Sequence, residues 1–353
     1  MIKNKKFLIL LLFFSLLVGQ DFQYELNIKA IDKNSDYWFL KNNNNGTDLN
    51  NFQLKSSFSI NKNNTSYIIN VTSPANKESS INKVQFNETY IKHNITKNTF
   101  IKVGRYYRDF SNYLNDDLST GSMLISNNAQ PMPKLGLVSN YNFEKNEDIF
   151  INYGISHAVF DKNEYYTESP FLHEKFIYIN IIKNKFSLGL GIVHEAMWAG
   201  STKELGKQPN SFKDFLKVFI SDDGDKKSYE QHANSLGNHL GIWDFYIIKK
   251  NEEKLIKFYY QHFFEDTSSF RFNNKWDGLW GLELTNFIPN TNILIEFLDT
   301  SNCCEDPPYQ YDFYYWNYEY TSGWKYKNYI LGNPFVNDTA EWNAELDNGM
   351  ELD

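Results

Sequence analysis

Large apolar residues recur at every second position through much of this chain. In Phe186-Ser-Leu-Gly-Leu-Gly-Ile192, Phe186, Leu188, Leu190 and Ile192 share one face, while Ser187, Gly189 and Gly191 share the other. In Leu279 to Phe287, Trp280, Leu282 and Leu284 oppose Gly281, Glu283 and Thr285. In Asn292 to Leu298, Ile293, Ile295 and Phe297 oppose Leu294 and Glu296. A period of two is the signature of a strand with two unlike faces. Similar runs cover roughly 52–60, 65–73, 82–94, 98–108, 134–143, 147–158, 174–182, 239–250 and 253–265, with weaker candidates near 212–220, 311–320 and 325–331.

The connections alternate in length. Lys183-Asn-Lys185 and Lys250-Asn-Glu-Glu253 read as tight turns, whereas 109–133, 159–173, 196–211, 221–238 and 299–312 read as long polar loops. Large apolar groups on one face, small or polar groups on the other, and loops long at one end only are the pattern of an all-β, antiparallel transmembrane β-barrel. A soluble β-sandwich also alternates; strand number and loop asymmetry favour the barrel. The register predicts Asp244, Glu283 and Glu296 in the lumen, with Trp280, Leu282, Ile293 and Ile295 towards lipid. The segment 21–51 has no clear strand pattern and reads as a short periplasmic helix or a plug.

The N-terminus adds a destination. Lys3, Lys5 and Lys6 precede an apolar run from Phe7 to Val18, and Gly19 and Gln20 lead into polar sequence. This is the layout of a signal peptide over residues 1–20; the run is too short to span a bilayer as a helix. No later segment is long and apolar enough to do so. Aromatic residues make up 17% of the chain, heavy for a soluble enzyme and suited to interfacial girdles or to stacking on sugar rings. A formal net charge of -8 argues against nucleic-acid binding. The two cysteines, Cys303 and Cys304, are adjacent, which matches neither a disulfide framework nor a zinc site.

Candidate chemistry is sparse. There is no G-x-S-x-G, P-loop or dinucleotide fingerprint, and His194-Glu195 does not continue into a second zinc ligand because position 198 is Trp. No catalytic residue, metal or cofactor is therefore assigned. The ionisable residues Arg105, His194, Glu195, Asp244, His262, Glu265, Glu283 and Glu296 read as a lumenal polar network, because unpaired buried charge is costly. Trp198, Trp276 and the 311–318 aromatic run, including Tyr315, Trp316 and Tyr318, are the candidates for stacking on a glycan, and equally for an interfacial girdle.

Six segments, in order, resemble the capsule assembly Wzi family. They are Ser119-Thr-Gly-Ser-Met-Leu-Ile-Ser-Asn-Asn-Ala-Gln-Pro-Met-Pro-Lys134; Phe171-Leu-His-Glu-Lys-Phe176; Leu190-Gly-Ile-Val-His-Glu-Ala-Met-Trp198; Leu236-Gly-Asn-His-Leu-Gly-Ile-Trp-Asp244; Tyr259-Tyr-Gln-His-Phe-Phe-Glu-Asp266 followed by Asp277-Gly-Leu-Trp-Gly-Leu-Glu283; and Ser322-Gly-Trp324 with Leu331-Gly-Asn-Pro-Phe335. Gln130 departs from the pattern, which has Arg before Pro-Met-Pro. The resemblance covers about residues 98–335 and implies a single outer-membrane barrel that holds capsular or other surface polysaccharide without catalysis; with the strand pattern, the barrel is expected over 52–335 and as a monomer. A porin-like channel is the alternative, and a hydrolase a third reading. The resemblance also implies roughly 18 strands against about 14 candidates here. The acidic tail 336–353 has no clean alternation, so the chain is expected either to stop short of the full family barrel or to close as a smaller one.

Overall fold

The structure is a computed structural model and describes residues 21–30, 42, 45–46, 52–74, 85–144, 146–203, 205–225, 234–265, 270–302 and 314–336. In chain order the elements are β1 (Asp21–Ala30), β2 (Phe52–Lys62), β3 (Thr65–Pro74), β4 (Gln85–Asn94), β5 (Thr99–Arg105), β6 (Pro133–Phe143), β7 (Asn146–Val159), β8 (Tyr166–Glu168), β9 (Phe171–Lys183), β10 (Phe186–Trp198), β11 (Ser201–Thr202), β12 (Gly206–Lys207), α1 (Phe212–Ile220), β13 (Asn238–Asn251), β14 (Lys254–Phe264), β15 (Gly278–Thr285), β16 (Asn292–Asp299), β17 (Lys325–Tyr326) and β18 (Tyr329–Ile330). Thirteen strands form one antiparallel sheet in the order β1-β2-β3-β4-β5-β6-β7-β9-β10-β13-β14-β15-β16. β8, β11 and β12 make a small sheet within the loops, and β17 and β18 a hairpin.

All the tight turns lie at one end of this sheet. Asn63, Asn184 and Glu252 take left-handed φ values of 53°, 52° and 54° in the β2–β3, β9–β10 and β13–β14 turns, a conformation that Asn adopts more readily than most residues. The connections at the other end are long. β1 corrects the reading of 21–51 as strandless: Phe22, Tyr24, Leu26 and Ile28 alternate with polar residues, and Asp21–Ala30 pairs with β2 along its whole length. The weak strand candidate at 212–220 is the helix α1. Its apolar residues recur at helical spacing, and Ser211 with Asp214 forms a capping box at its start. Of the candidates at 311–320 and 325–331, residues 311–313 and the acidic tail beyond 336 lie outside the described residues. Residues 314–320 are irregular, and 325–331 holds only the β17–β18 hairpin.

The faces of the sheet are inverted relative to a soluble protein. Ile177, Ile179 and Ile181 on β9, Leu188 and Leu190 on β10, and Ile295 and Phe297 on β16 are exposed, the last two by 61% and 63%. The intervening Glu174, Asn180, Asp244, Gln261 and Glu283 are buried. An aliphatic exterior around a polar interior is the wall of a membrane barrel.

The 106–132 connection, expected as the end of a strand to 108 and a polar loop over 109–133, is instead the barrel's core. Met123, Leu124 and Ile125 are almost wholly buried, with Phe110 and Met132. Gln130 of this segment bonds the Phe86 carbonyl on β4, while Ser119 bonds Glu296 on β16. A single compact segment can reach both strands, nine apart in the sheet order, only because the sheet curls around it. Within the described residues, β1 and β16 are the two edges of the curled sheet.

Candidate functional site

The inward side chains of the strands grip the 106–132 plug almost one for one. Asp244 on β13 accepts from Ser111 Oγ at 2.5 Å, from the Tyr178 hydroxyl at 2.6 Å and from the Tyr113 hydroxyl. Gln261 on β14 accepts from the Met123 amide at 3.0 Å and donates to Ser111 Oγ at 3.0 Å. Glu283 on β15 accepts from Asn115 Nδ2 at 3.0 Å and pairs with Lys257 at 2.6 Å; Lys257 also donates to the Tyr113 carbonyl. Glu296 on β16 accepts from Ser119 Oγ at 2.7 Å, from the Thr120 amide at 2.6 Å and from the Tyr259 hydroxyl. Arg105 donates to the Pro131 carbonyl at 2.9 Å and to the Tyr326 hydroxyl at 3.2 Å. Charge-assisted bonds of this kind are the strong ones. Within the plug, burial and the neighbouring Asp244 hold the Tyr113 phenol well above its ordinary range, so it stays a donor.

Two further buried pairs lock the same segment. Lys134 lies 2.8 Å from Glu174, which also accepts from Ser156 Oγ at 2.7 Å, and the Lys134 ammonium donates to the Tyr107 carbonyl. Lys102 pairs with Asp109 at 2.8 Å. Glu195 is buried on the inward face directly opposite Glu174 in the ladder. Gln130, the departure from the family pattern, accepts from Lys327 at 2.7 Å.

The segment 314–336 also holds the plug. The Tyr315 hydroxyl donates to the Met123 carbonyl at 2.5 Å and accepts from the Asn333 amide at 2.9 Å. Trp324 Nε1 donates to the Leu124 carbonyl at 3.0 Å. Asn333 Nδ2 reaches Thr120 Oγ1 at 3.0 Å and the Gly121 carbonyl at 2.8 Å. The Leu331-Gly-Asn-Pro-Phe335 motif is therefore a clasp on the plug. Its Gly332 permits the approach, since a Cβ there would lie 2.2 Å from the Tyr315 hydroxyl.

Two expected lumenal residues are on the other side of the wall. Period-two alternation puts Gly191, Val193 and Glu195 inward, so His194 faces out with Leu188 and Leu190; it lies 2.9 Å from His239 and 3.1 Å from Ser221 Oγ. His262 likewise alternates with the inward Gln261, and its ring stacks on Phe272 with centroids 4.0 Å apart. Both are buried because loop residues cover them from outside. Glu265 lies one residue past the end of β14, in a bend.

The stacking candidates also divide. Tyr315 is 2% exposed and is a plug clasp. Trp198 is buried between Phe171 and Phe215, with ring centroids at 5.7 and 5.6 Å. Neither offers a free ring face to a sugar. Trp276 is 65% exposed in the β14–β15 loop, beside Trp280; Trp316 is half-buried and Tyr318 is exposed. Tyr318 borders a cavity of about 190 Å³ at the long-loop end, lined also by Asp214, Lys217, Asn234, Ser235 and Glu319. Hydroxyl, amide, carboxylate and a flat ring around one hollow are the groups that hold a carbohydrate. Asp214 is held below the usual carboxylate range by hydrogen bonds from Ser211 and remains an anion there. Asp214, Lys217, Asn234 and Ser235 belong to no sequence motif; Tyr318 is legible from its aromatic run, and Leu236, which also lines the cavity, opens one of the family segments.

Comparison with known proteins bears on both fold and role. The family model described as capsule assembly protein Wzi matches residues 33–349. No curated protein matches the chain. Among solved structures the chain is similar to Wzi of Escherichia coli, described as an outer-membrane protein involved in group 1 capsule assembly and as a carbohydrate-binding β-barrel. Identity is 15% over 96% of this chain and 69% of that one, with a TM-score of 0.57. At that identity the likeness establishes the shared barrel fold. The outer-membrane channel DcaP of Acinetobacter baumannii is more distant, at 9% identity over 69% of this chain and 77% of that one, with a TM-score of 0.35.

Proposed function

This chain belongs to the capsule assembly Wzi family, and we propose that it is an outer-membrane barrel that binds and retains capsular or other exported polysaccharide at the cell surface. The observation that carries this reading is the plug. Arg105, Lys134, Asp244, Gln261, Glu283 and Glu296 each make at least one hydrogen bond to residues 106–132. A lumen filled in this way suits a rigid binding platform better than a diffusion channel.

Residues 1–20 act as the signal peptide, and the barrel sits as a monomer with its tight turns towards the periplasm and its long loops outside. Trp276, Trp316 and Tyr318 meet the glycan from those loops, with the cavity beside Tyr318 as one contact. The protein works without turnover. Glycoside hydrolysis needs two carboxylates facing each other across an open cleft, and the inward carboxylates Asp244, Glu283 and Glu296 face protein donors instead.

Titrating the purified, detergent-solubilised protein with the surface polysaccharide of its own cells tests this. Saturable binding that weakens with Tyr318→Ala or Trp316→Ala, in protein that still unfolds cooperatively, is the expected result. Release of oligosaccharide during the titration, lost on Glu195→Gln, would contradict it.

A further inference from the structure

At the long-loop end of the barrel's outer face, four neighbouring strands carry a row of histidines: His157 on β7, His173 on β9, His194 on β10 and His239 on β13. Successive ring centroids are 5.0, 6.4 and 5.0 Å apart. Lys175 shares this face. These positions have the parity that sends Ile177, Ile179, Leu188 and Leu190 outward lower on the same strands. Polar groups on a lipid-facing wall are unfavourable.

Helix α1 covers them. The Phe215 ring lies 5.4 Å from His157 and 5.5 Å from His173, and the Phe219 ring lies 5.4 Å from His173. Lys175 donates to the Phe219 carbonyl at the helix end, and Ser221 at the C-cap reaches His194. The barrel side of the helix is thus fully engaged. Its polar side, with Asp214 and Lys217, lines the cavity beside Tyr318.

A third side has no cover among the described residues. Phe212, Leu216 and Ile220, spaced i, i+4 and i+8, form one stripe and are 75%, 48% and 68% exposed. Such a stripe in water would be unfavourable, and its height points to another solvent. On β10 the bare apolar band runs only from Phe186 to Ile192 before His194 interrupts it. Seven residues at ~3.3 Å each, tilted by ~40°, give a band roughly 15–18 Å tall, whereas a barrel's apolar belt is about 25 Å. The helix lies where the remainder of the belt belongs.

We propose that α1 is an in-plane membrane helix whose Phe212, Leu216 and Ile220 insert among the acyl chains of the leaflet on the long-loop side. It completes the apolar belt where the histidine row breaks it, and it presents its polar side to the glycan cavity above. This rests on the reading of the barrel as membrane-spanning.

Spin labels test both levels at once. In a Cys303→Ser, Cys304→Ser background, the full chain is labelled singly at Leu216→Cys, Ile220→Cys, Lys217→Cys and Ile179→Cys, and reconstituted in phosphatidylcholine–phosphatidylglycerol vesicles. Collision with oxygen, which partitions into lipid, is compared with collision with a water-soluble nickel chelate. The inference predicts an oxygen-to-nickel ratio several-fold higher at Leu216 and Ile220 than at Lys217, approaching that at Ile179. A high ratio at Ile179 with low ratios at Leu216 and Ile220 overturns the helix placement and leaves the barrel reading intact. A low ratio at Ile179 overturns both. Spin–spin broadening at Leu216 shows a second copy on this face and also overturns the placement.

Discussion

Tyr178 on β9 and Asp244 on β13 are not neighbours in the sheet; β10 runs between them, and the Tyr178 hydroxyl crosses it to donate to Asp244 at 2.6 Å. The crossing passes over Gly191, which pairs with both residues in the ladder. A Cβ at 191 would lie 2.2 Å from Tyr178 Cε1. The device recurs twice. Tyr259 crosses Gly281 to reach Glu296, and Tyr246 crosses Gly189 to reach Asn180. The small residues of the inward face are thus spaces for tyrosines that tie alternate strands together.

Gly191→Ala should therefore lower stability by about 1–3 kcal/mol, the range for overpacking a filled interior. Tyr178→Phe should cost a similar amount, since Asp244 loses one of its three hydroxyl donors. Thermal unfolding of the purified variants reads both. In the double variant the losses should fall short of their sum, because both act on one crossing.

The charge pairs on the inner wall should respond asymmetrically. Lys134→Met removes the ammonium paired with Glu174 while Glu195 stands opposite it. A loss of about 3–5 kcal/mol is expected for breaking a buried pair. Glu195→Gln removes one of two facing carboxyl groups and should leave the melting temperature unchanged or raised. Equal losses in the two variants would contradict this assignment.

Much of this was legible in the sequence, and the exceptions have physical reasons. The alternation that defines β9, β10 and β13 to β16 is strong because one face meets lipid and the other meets packed polar groups. Asp244 and Glu283 are buried on the face opposite to the exposed Leu282 and Ile295. The same rule puts His194 and His262 outside, but a histidine suggests a lumen unless the covering helix or loop is known. The 106–132 segment reads as a polar loop because its many Ser and Asn side chains bond strand carboxylates and backbone; its buried run Met123-Leu124-Ile125 was the available clue. Tyr315 and Trp198 show that an aromatic run reports burial as readily as it reports a ligand.

Helix α1 should depend on its cap and on pH. Ser211 Oγ contacts the Asp214 amide and carboxylate, and Asp214 accepts the Ser211 amide at 2.8 Å. Ser211→Ala should cost about 0.5–2 kcal/mol of local helix stability. Because the folded Asp214 carboxyl is held below its unfolded value, its contribution is present above the ordinary carboxylate range and is lost as pH falls through the folded value. Protection factors of the 212–220 amides, taken relative to the intrinsic exchange rate at each pH, should therefore fall in acid for the native chain, with a smaller fall in Ser211→Ala. An unchanged acid dependence would separate the cap from the titration.

Plugging should make the barrel electrically silent. In planar bilayers the native protein is expected to give no steady conductance, while Asp244→Ala with Glu283→Ala and Glu296→Ala should give flickering openings as the 106–132 segment loosens. Large steady conductance from the native chain would favour a porin-like channel.

The partition of surface polysaccharide between cells and medium tests the central claim most directly. Deleting the gene should leave polysaccharide synthesis unchanged while shifting material from the cell fraction to the medium. The native gene should restore retention, and a Tyr318→Ala allele expressed at the same level should restore it only in part. Unchanged retention in the deletion strain would contradict the assignment of this barrel as the surface anchor for that polymer.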